Sequence, residues 1–213
     1  LAAFLKRELK PGLKLYIEHS NEVWNFGFPQ YIYNKLAAID EVKRGGSPLN
    51  ADGSRNEEVW AHRRHAQRLV AIGRTFRETF ADDPDRVRPI YASWSISPGA
   101  HFADVLAWVE KTYGPPKNHF YGLADAAYYD PGKESLTAKA ERIVAAMREA
   151  SDANTANREK IRAVADRYGL KHCQYEIGPG VGPIGDARNV AERIRANRLP
   201  AIGDVVLHDA LAN

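Results

Sequence analysis

A single cysteine, Cys173, is the only thiol in this 213-residue chain, so no internal disulfide framework can form. The compartment stays open, because many secreted proteins have no disulfide either. Nowhere do apolar residues run to the roughly 18 in a row that a membrane span requires, and no span is expected. An excess of one charge is also missing: 30 basic residues stand against 27 acidic ones, a formal charge of +3. The basic residues are spread along helical segments and do not interleave with aromatics, which argues against nucleic acid as a partner. The opening Leu1-Ala2-Ala3-Phe4-Leu5-Lys6-Arg7 puts its charges after its apolar residues, the reverse of a signal peptide. It reads as the tail of a helix already under way, and a signal peptide further upstream would be invisible.

What is present is the composition of a globular domain, 44% hydrophobic and 27% charged. That length suits one ordinary domain with a sizeable core and is short for a complete eight-stranded α/β barrel, which takes about 250 residues. The first strand signal is Leu13 to Glu18, entered from the turn Pro11-Gly12. It runs into the polar and aromatic segment His19-Ser20-Asn21-Glu22-Val23-Trp24-Asn25. Tyr31 to Ala38 suits a short helix. From Glu57 to Phe80 a helical stripe of Val59, Ala66, Leu69, Val70, Gly73, Phe76 and Phe80 is clear, with Asn56 as its cap and Glu57 and Glu58 at the positive end of its dipole.

The pattern then repeats. Val87 to Trp94 is expected as a strand with an irregular start at Pro89, Phe102 to Tyr113 as a helix, and His119 to Ala127 as a strand ending in Tyr128-Tyr129. Two helices, 136–150 and 157–168, lead to a fourth strand over Lys171 to Tyr175, with Glu176 just past its end. Asn189 to Arg198 and Ile202 to Leu211 close the chain as helices. Strands separated by helical connections predict a parallel sheet, with every strand's C-terminal end on one side. That edge is where Asn21, Glu22, Trp94, Tyr128, Tyr129 and Glu176 collect, and it is the edge that carries ligand sites in such folds.

Glu22 and Glu176 are the candidate catalytic residues. Glycoside hydrolysis needs one carboxylic acid to protonate the leaving oxygen and one carboxylate to attack the anomeric carbon or activate water. Around them, Asn21 suits a sugar hydroxyl, Tyr128 or Tyr129 suits a hydrogen bond to the nucleophile, and Trp24 and Trp94 offer flat apolar faces to pyranose rings. The bland alternative is solvent-facing glutamates at strand ends with aromatics packed on the rim. Elsewhere, His62 and His65 stand one helical turn apart without a matching acid and read as surface histidines. The arginines from Arg63 and Arg64 to Arg77 read as that helix's wet face. Cys173, inside a strand, reads as a small buried hydrophobe. Ser20 lacks the flanking glycines of a nucleophile elbow.

The segment Leu15-Tyr16-Ile17-Glu18-His19-Ser20-Asn21-Glu22-Val23-Trp24-Asn25 resembles the "EYSNEVWN" signature of large bacterial proteins related to the clan A retaining glycoside hydrolases. Gln174-Tyr175-Glu176-Ile177-Gly178 resembles the family's "YEGG" segment, with isoleucine at 177 where the family usually has glycine. The resemblance implies a partial (β/α)8 TIM barrel made of strands 4 to 7 with their helices. It implies one catalytic domain over 1–213 that is truncated at both ends. Glu22 would be the general acid/base, Asn21 its partner for the sugar 2-hydroxyl, Glu176 the nucleophile, and Tyr128 the aromatic that contacts it, with Tyr129 equally placed. A carbohydrate substrate, no metal or organic cofactor, and a secreted or cell-surface setting follow from it. The other partners would be the missing N-terminal and C-terminal parts of the same barrel, without which the segment is expected to be poorly active. A non-catalytic carbohydrate-binding or degenerate barrel module of a larger protein is the alternative.

Overall fold

The computed structural model describes residues 1–94, 99–180, 182 and 185–212. Four strands, β1 (Leu15–Ile17), β2 (Val87–Trp94), β3 (Gly122–Tyr129) and β4 (Lys171–Pro179), form one parallel sheet in the order β1-β2-β3-β4. The helices are α1 (Ala2–Glu8), α2 (Pro29–Lys43), α3 (Glu57–Thr79), α4 (Ala100–Tyr113), α5 (Glu134–Thr137), α6 (Ala140–Arg167), α7 (Val190–Ala196) and α8 (Pro200–Ala212). The fold is therefore mixed α/β, as the alternation predicted. No described helix is long and apolar enough to cross a membrane.

The chain packs as two compact units, Leu1–Asp125 with Ile161–Cys173, and Ala126–Lys160 with Gln174–Asn213. In the first, Ala66 and Leu69 of α3 meet Tyr91 of β2, Leu123 of β3 and Phe102, Leu106 and Val109 of α4 in one buried cluster. A second cluster of Phe76, Phe80 and Val87 receives Leu15 and Ile17, the two inward residues of β1. Tyr16 lies between them on the opposite face, as the two-residue period of a strand demands. In the second unit Tyr129, Ile143, Val144 and Met147 pack with Ala196 and Val205.

Three local rules account for most of α3. Asn56 caps it by accepting the Glu58 N–H at 2.9 Å, and Glu57 and Glu58 occupy its first turn. Gly73 lets it approach the sheet: a Cβ there would lie 2.9 Å from Pro89 Cγ. Pro89 is thus no irregular start. It sits inside β2 opposite Ile17, and its carbonyl accepts the Tyr121 N–H at 2.8 Å. The third rule is coverage on several sides, by α2, β2, α4 and α1. That corrects the expectation of surface histidines and, at Arg63, that of a wet arginine face, while Arg68 and Arg74 do face solvent. His65 is 1% exposed, and Arg63 is buried with Nη1 and Nη2 on the Asp52 carboxylate at 2.9 and 2.5 Å.

The two helices expected over 136–150 and 157–168 are one continuous helix, α6. The stretch Ser151-Asp152-Ala153-Asn154-Thr155 is poor in helix formers, but tertiary bonds hold it. Asn154 Nδ2 donates to the Tyr128 carbonyl at 3.0 Å, and Ser151 Oγ donates to Asp209 of α8. Asp209 also takes Arg158 Nη1 at 3.0 Å, with both side chains almost fully buried.

Two substitutions test these contacts by urea unfolding. Gly73→Val forces a branched side chain against Pro89 and is expected to cost about 1–3 kcal/mol. Arg158→Leu leaves Asp209 buried without its cation and is expected to cost about 3–5 kcal/mol. An unchanged midpoint in either case removes the contact from the list of structural determinants.

Candidate functional site

The chain leaves β1 through a loop whose backbone is under strain. Ser20 has φ +65° and Glu22 φ +46°, and with Asn189 they are the only non-glycine residues of positive φ among the described residues. For side chains with a Cβ this region costs roughly 1–2 kcal/mol each, and such strain concentrates at functional sites. What stabilises it is local. Val23 and Trp24 are buried anchors, and the Glu22 carbonyl accepts the Asn25 N–H at 2.9 Å. Asn25 Nδ2 donates to Glu22 Oε2 at 2.6 Å, while Asn25 Oδ1 accepts the Gly27 N–H at 3.0 Å. Gln30 Nε2 donates to the carbonyl of Asn21 at 2.7 Å. Asn21 is exposed and Glu22 half-buried. Sequence reasoning had no role for Asn25, whose three-residue spacing from Glu22 is a turn signal that becomes a carboxylate clamp.

His19, at the exit of β1, lies against α3. Its Nδ1 is 3.2 Å from His65 Nδ1, and His65 Nε2 is 3.2 Å from the Ala92 carbonyl of β2. A carbonyl can only accept, so His65 carries its proton on Nε2 and its Nδ1 accepts the His19 Nδ1–H. Burial pushes the His19 imidazole down to about 4, with Arg64 and Arg68 adding to the effect. Burial pushes His65 well below the usual histidine value, His19 and His62 contribute, and the Ala92 bond opposes.

Beside this pair, Trp24 and Trp94 pack edge to face with ring centroids 4.8 Å apart, and Phe26 lies 6.2 Å from Trp94. The two tryptophans were expected to present open faces to sugar rings. Trp24 is instead 3% exposed, because the turn that clamps Glu22 also tucks the indole under the loop. With Trp94 it lines the wall of a cavity of about 230 Å³.

The other candidate acid lies in β4, which runs on to Pro179, so Glu176 sits near the strand's C-terminal end rather than past it. Tyr128 Oη donates to Glu176 Oε2 at 2.5 Å. Tyr128 is the one exposed residue of β3, whereas Tyr129 is 1% exposed in the core with Ile143 and Met147. Burial raises the Tyr129 hydroxyl, helped by Asp209. Of two equally placed tyrosines, alternation along the strand gives the carboxylate to Tyr128. Ile177 lies exposed within β4, where a β-branched side chain is at home. Cys173 is half-buried, with burial raising its thiol. Among the described residues no cluster of three or more His, Cys, Asp or Glu is arranged to hold a metal ion.

The histidine pair predicts an acid-sensitive contribution to stability. An unfolded histidine takes up its proton near pH 6.5, whereas His19 resists until about 4 and His65 until well below 6.5. The contribution is therefore full above about pH 6.5 and is lost as pH falls toward about 4. The urea midpoint of the wild type is expected to drop over that interval, and His65→Phe to flatten the drop by up to about 1.4 kcal/mol per pH unit. Parallel pH curves for the two proteins would contradict a neutral buried His65.

Comparison with known protein families, with curated proteins and with solved structures finds no significant match to this chain.

Proposed function

We propose that the chain supplies the acid/base, Glu22, and the nucleophile, Glu176, of a retaining O-glycoside hydrolase acting on β-linked glycans, and that its strands are the fourth to seventh of a (β/α)8 barrel. The bond from Tyr128 to Glu176 at 2.5 Å is the observation that carries this proposal. It engages one carboxylate oxygen and leaves the other for the anomeric carbon. A second support is independent of it. The strained turn at Ser20 and Glu22 and the Asn25 clamp fix one carboxylate orientation at the end of β1, a cost that a merely solvated glutamate would not repay. The "SNEVWN" resemblance assigns the same residue.

In the first step, Glu176 attacks the anomeric carbon while Glu22 gives its proton to the departing glycosidic oxygen, leaving a glycosyl ester on Glu176. In the second, Glu22, now a carboxylate, takes a proton from water. The water oxygen bonds to the anomeric carbon and Glu176 leaves as carboxylate. Asn21 serves the sugar 2-hydroxyl and Tyr128 orients the nucleophile. Both catalytic functions are side chains, so no metal or organic cofactor takes part in these steps.

Hydrolysis of a panel of aryl β-glycosides by the full-length protein tests the proposal. Glu176→Ala is expected to abolish turnover, with azide restoring it as a glycosyl azide of inverted configuration. Glu22→Ala is expected to spare substrates with good leaving groups. Tyr128→Phe removes a hydrogen bond to a charged group and is expected to lower turnover about ten- to hundredfold. No turnover across the panel, with glycans still bound, would make the site a binding module and end the catalytic proposal.

A further inference from the structure

The cavity beside Trp94 is more than a gap in the wall. At about 230 Å³ it holds several times the roughly 30 Å³ that one water occupies in the liquid. Trp24, Phe26 and Trp94 are among the aromatic residues that line it, and Ser93, His62 and Glu58 among the polar ones. Two donors there are unspent. Ser93 is 1% exposed, and neither its hydroxyl nor the buried indole N–H of Trp94 has a hydrogen-bond partner among the described residues. Buried polar groups are nearly always bonded, and each left alone costs about 1–3 kcal/mol. A ring with an apolar face and a rim of hydroxyl oxygens answers both features together.

The charge on the rim narrows the class. Glu58 is buried enough to raise its carboxyl, but hydrogen bonds from Lys35 and Tyr31 more than offset this and hold it ionised. His62 is kept neutral by burial, against the pull of Glu58. Neither lysine nor arginine lines the cavity among the described residues. Lys35 is already spent on Glu58 and Glu57, so a carboxylate or sulfate on the guest would meet Glu58 with no unpaired cation among the described residues that line the cavity.

We propose that this cavity is a subsite for one uncharged pyranose ring, held by the Ser93 hydroxyl and the Trp94 indole and closed to acidic sugars by Glu58. It deepens the glycosidase proposal, resting on it for the presence of a glycan and adding the class of ring. The test uses the full-length Glu176→Ala protein, which does not turn over, titrated with cellobiose, xylobiose, mannobiose and digalacturonate by calorimetry and tryptophan emission.

At least one neutral disaccharide is expected to bind and shift the emission, with digalacturonate at least tenfold weaker. Ser93→Ala is expected to weaken that binding about tenfold while leaving Tm unchanged or raised, because the lost hydroxyl has no partner in the free protein. Glu58→Gln is expected to narrow the gap between digalacturonate and the neutral sugars. Equal or tighter binding of digalacturonate, binding indifferent to Ser93→Ala, or a cavity that takes up only water overturns the subsite. Turnover of aryl glycosides by the unmutated protein beside any of these results leaves the glycosidase proposal standing. Selective binding without turnover keeps the subsite and removes the enzyme.

Discussion

One buried imidazole joins three elements of the first unit. His65 projects from α3, donates to the Ala92 carbonyl of β2 and accepts from His19 at the exit of β1. Each bond requires the other. If the proton moved to Nδ1, the Ala92 carbonyl would lose its donor and His19 would face a second N–H. The helix therefore packs at a depth and rotation where one neutral tautomer serves both strands, and Gly73 and Pro89 set how close it comes. Burial keeps that tautomer neutral, because a charged imidazole there would lack both water and a counter-ion.

From that node the loop after β1 inherits its path. With His19 held against α3, the chain must turn sharply to bury Val23 and Trp24 within four residues, and it does so through left-handed conformations at Ser20 and Glu22. Asn25 then closes the turn from both ends of its amide, one to Glu22 and one to Gly27. The strain and the clamp are two sides of one arrangement. A carboxylate pinned by a neutral amide keeps a fixed direction without an ion pair that would neutralise it.

Much of this was legible in sequence, and the failures have physical causes. The four strands, the Asn56 cap and the acidic first turn of α3 follow from short-range rules and are all present, although β1 is shorter than expected and β4 runs on to Pro179. The apolar stripe of α3 is buried as expected at Ala66, Leu69, Gly73, Phe76 and Phe80, but the buried arc is wider than a one-sided amphipathic picture allows and takes in Arg63 and His65. A helix covered on several sides can bury an arginine if an acid comes to it, as Asp52 does for Arg63 from eleven residues away. The break placed in α6 came from local propensity, which Ser151, Asn154 and Arg158 override through bonds that no local window contains. Asn21 and Glu22 were conspicuous as residues, but the conformation that orients Glu22 was not, since nothing in the sequence announces a positive φ at a glutamate.

The choice between Tyr128 and Tyr129 shows what a strand decides that composition cannot. β3 is buried along its length except at Tyr128. Leu123 enters the apolar cluster with Tyr91, Asp125 accepts His172 Nε2 at 2.6 Å, and Tyr129 joins Ile143 and Met147. These three share the odd-numbered face and the small, equally buried Ala124 and Ala126 share the other, so a slip of one residue would put alanines where Leu123 and Tyr129 fill space and take Asp125 away from His172. The misfit that slip would create keeps Tyr128 on the even face, where its hydroxyl reaches Glu176. The contact on which the proposed chemistry leans is therefore set by apolar burial and by the Asp125–His172 hydrogen bond elsewhere along the strand, and not by any attraction between the tyrosine and the glutamate themselves.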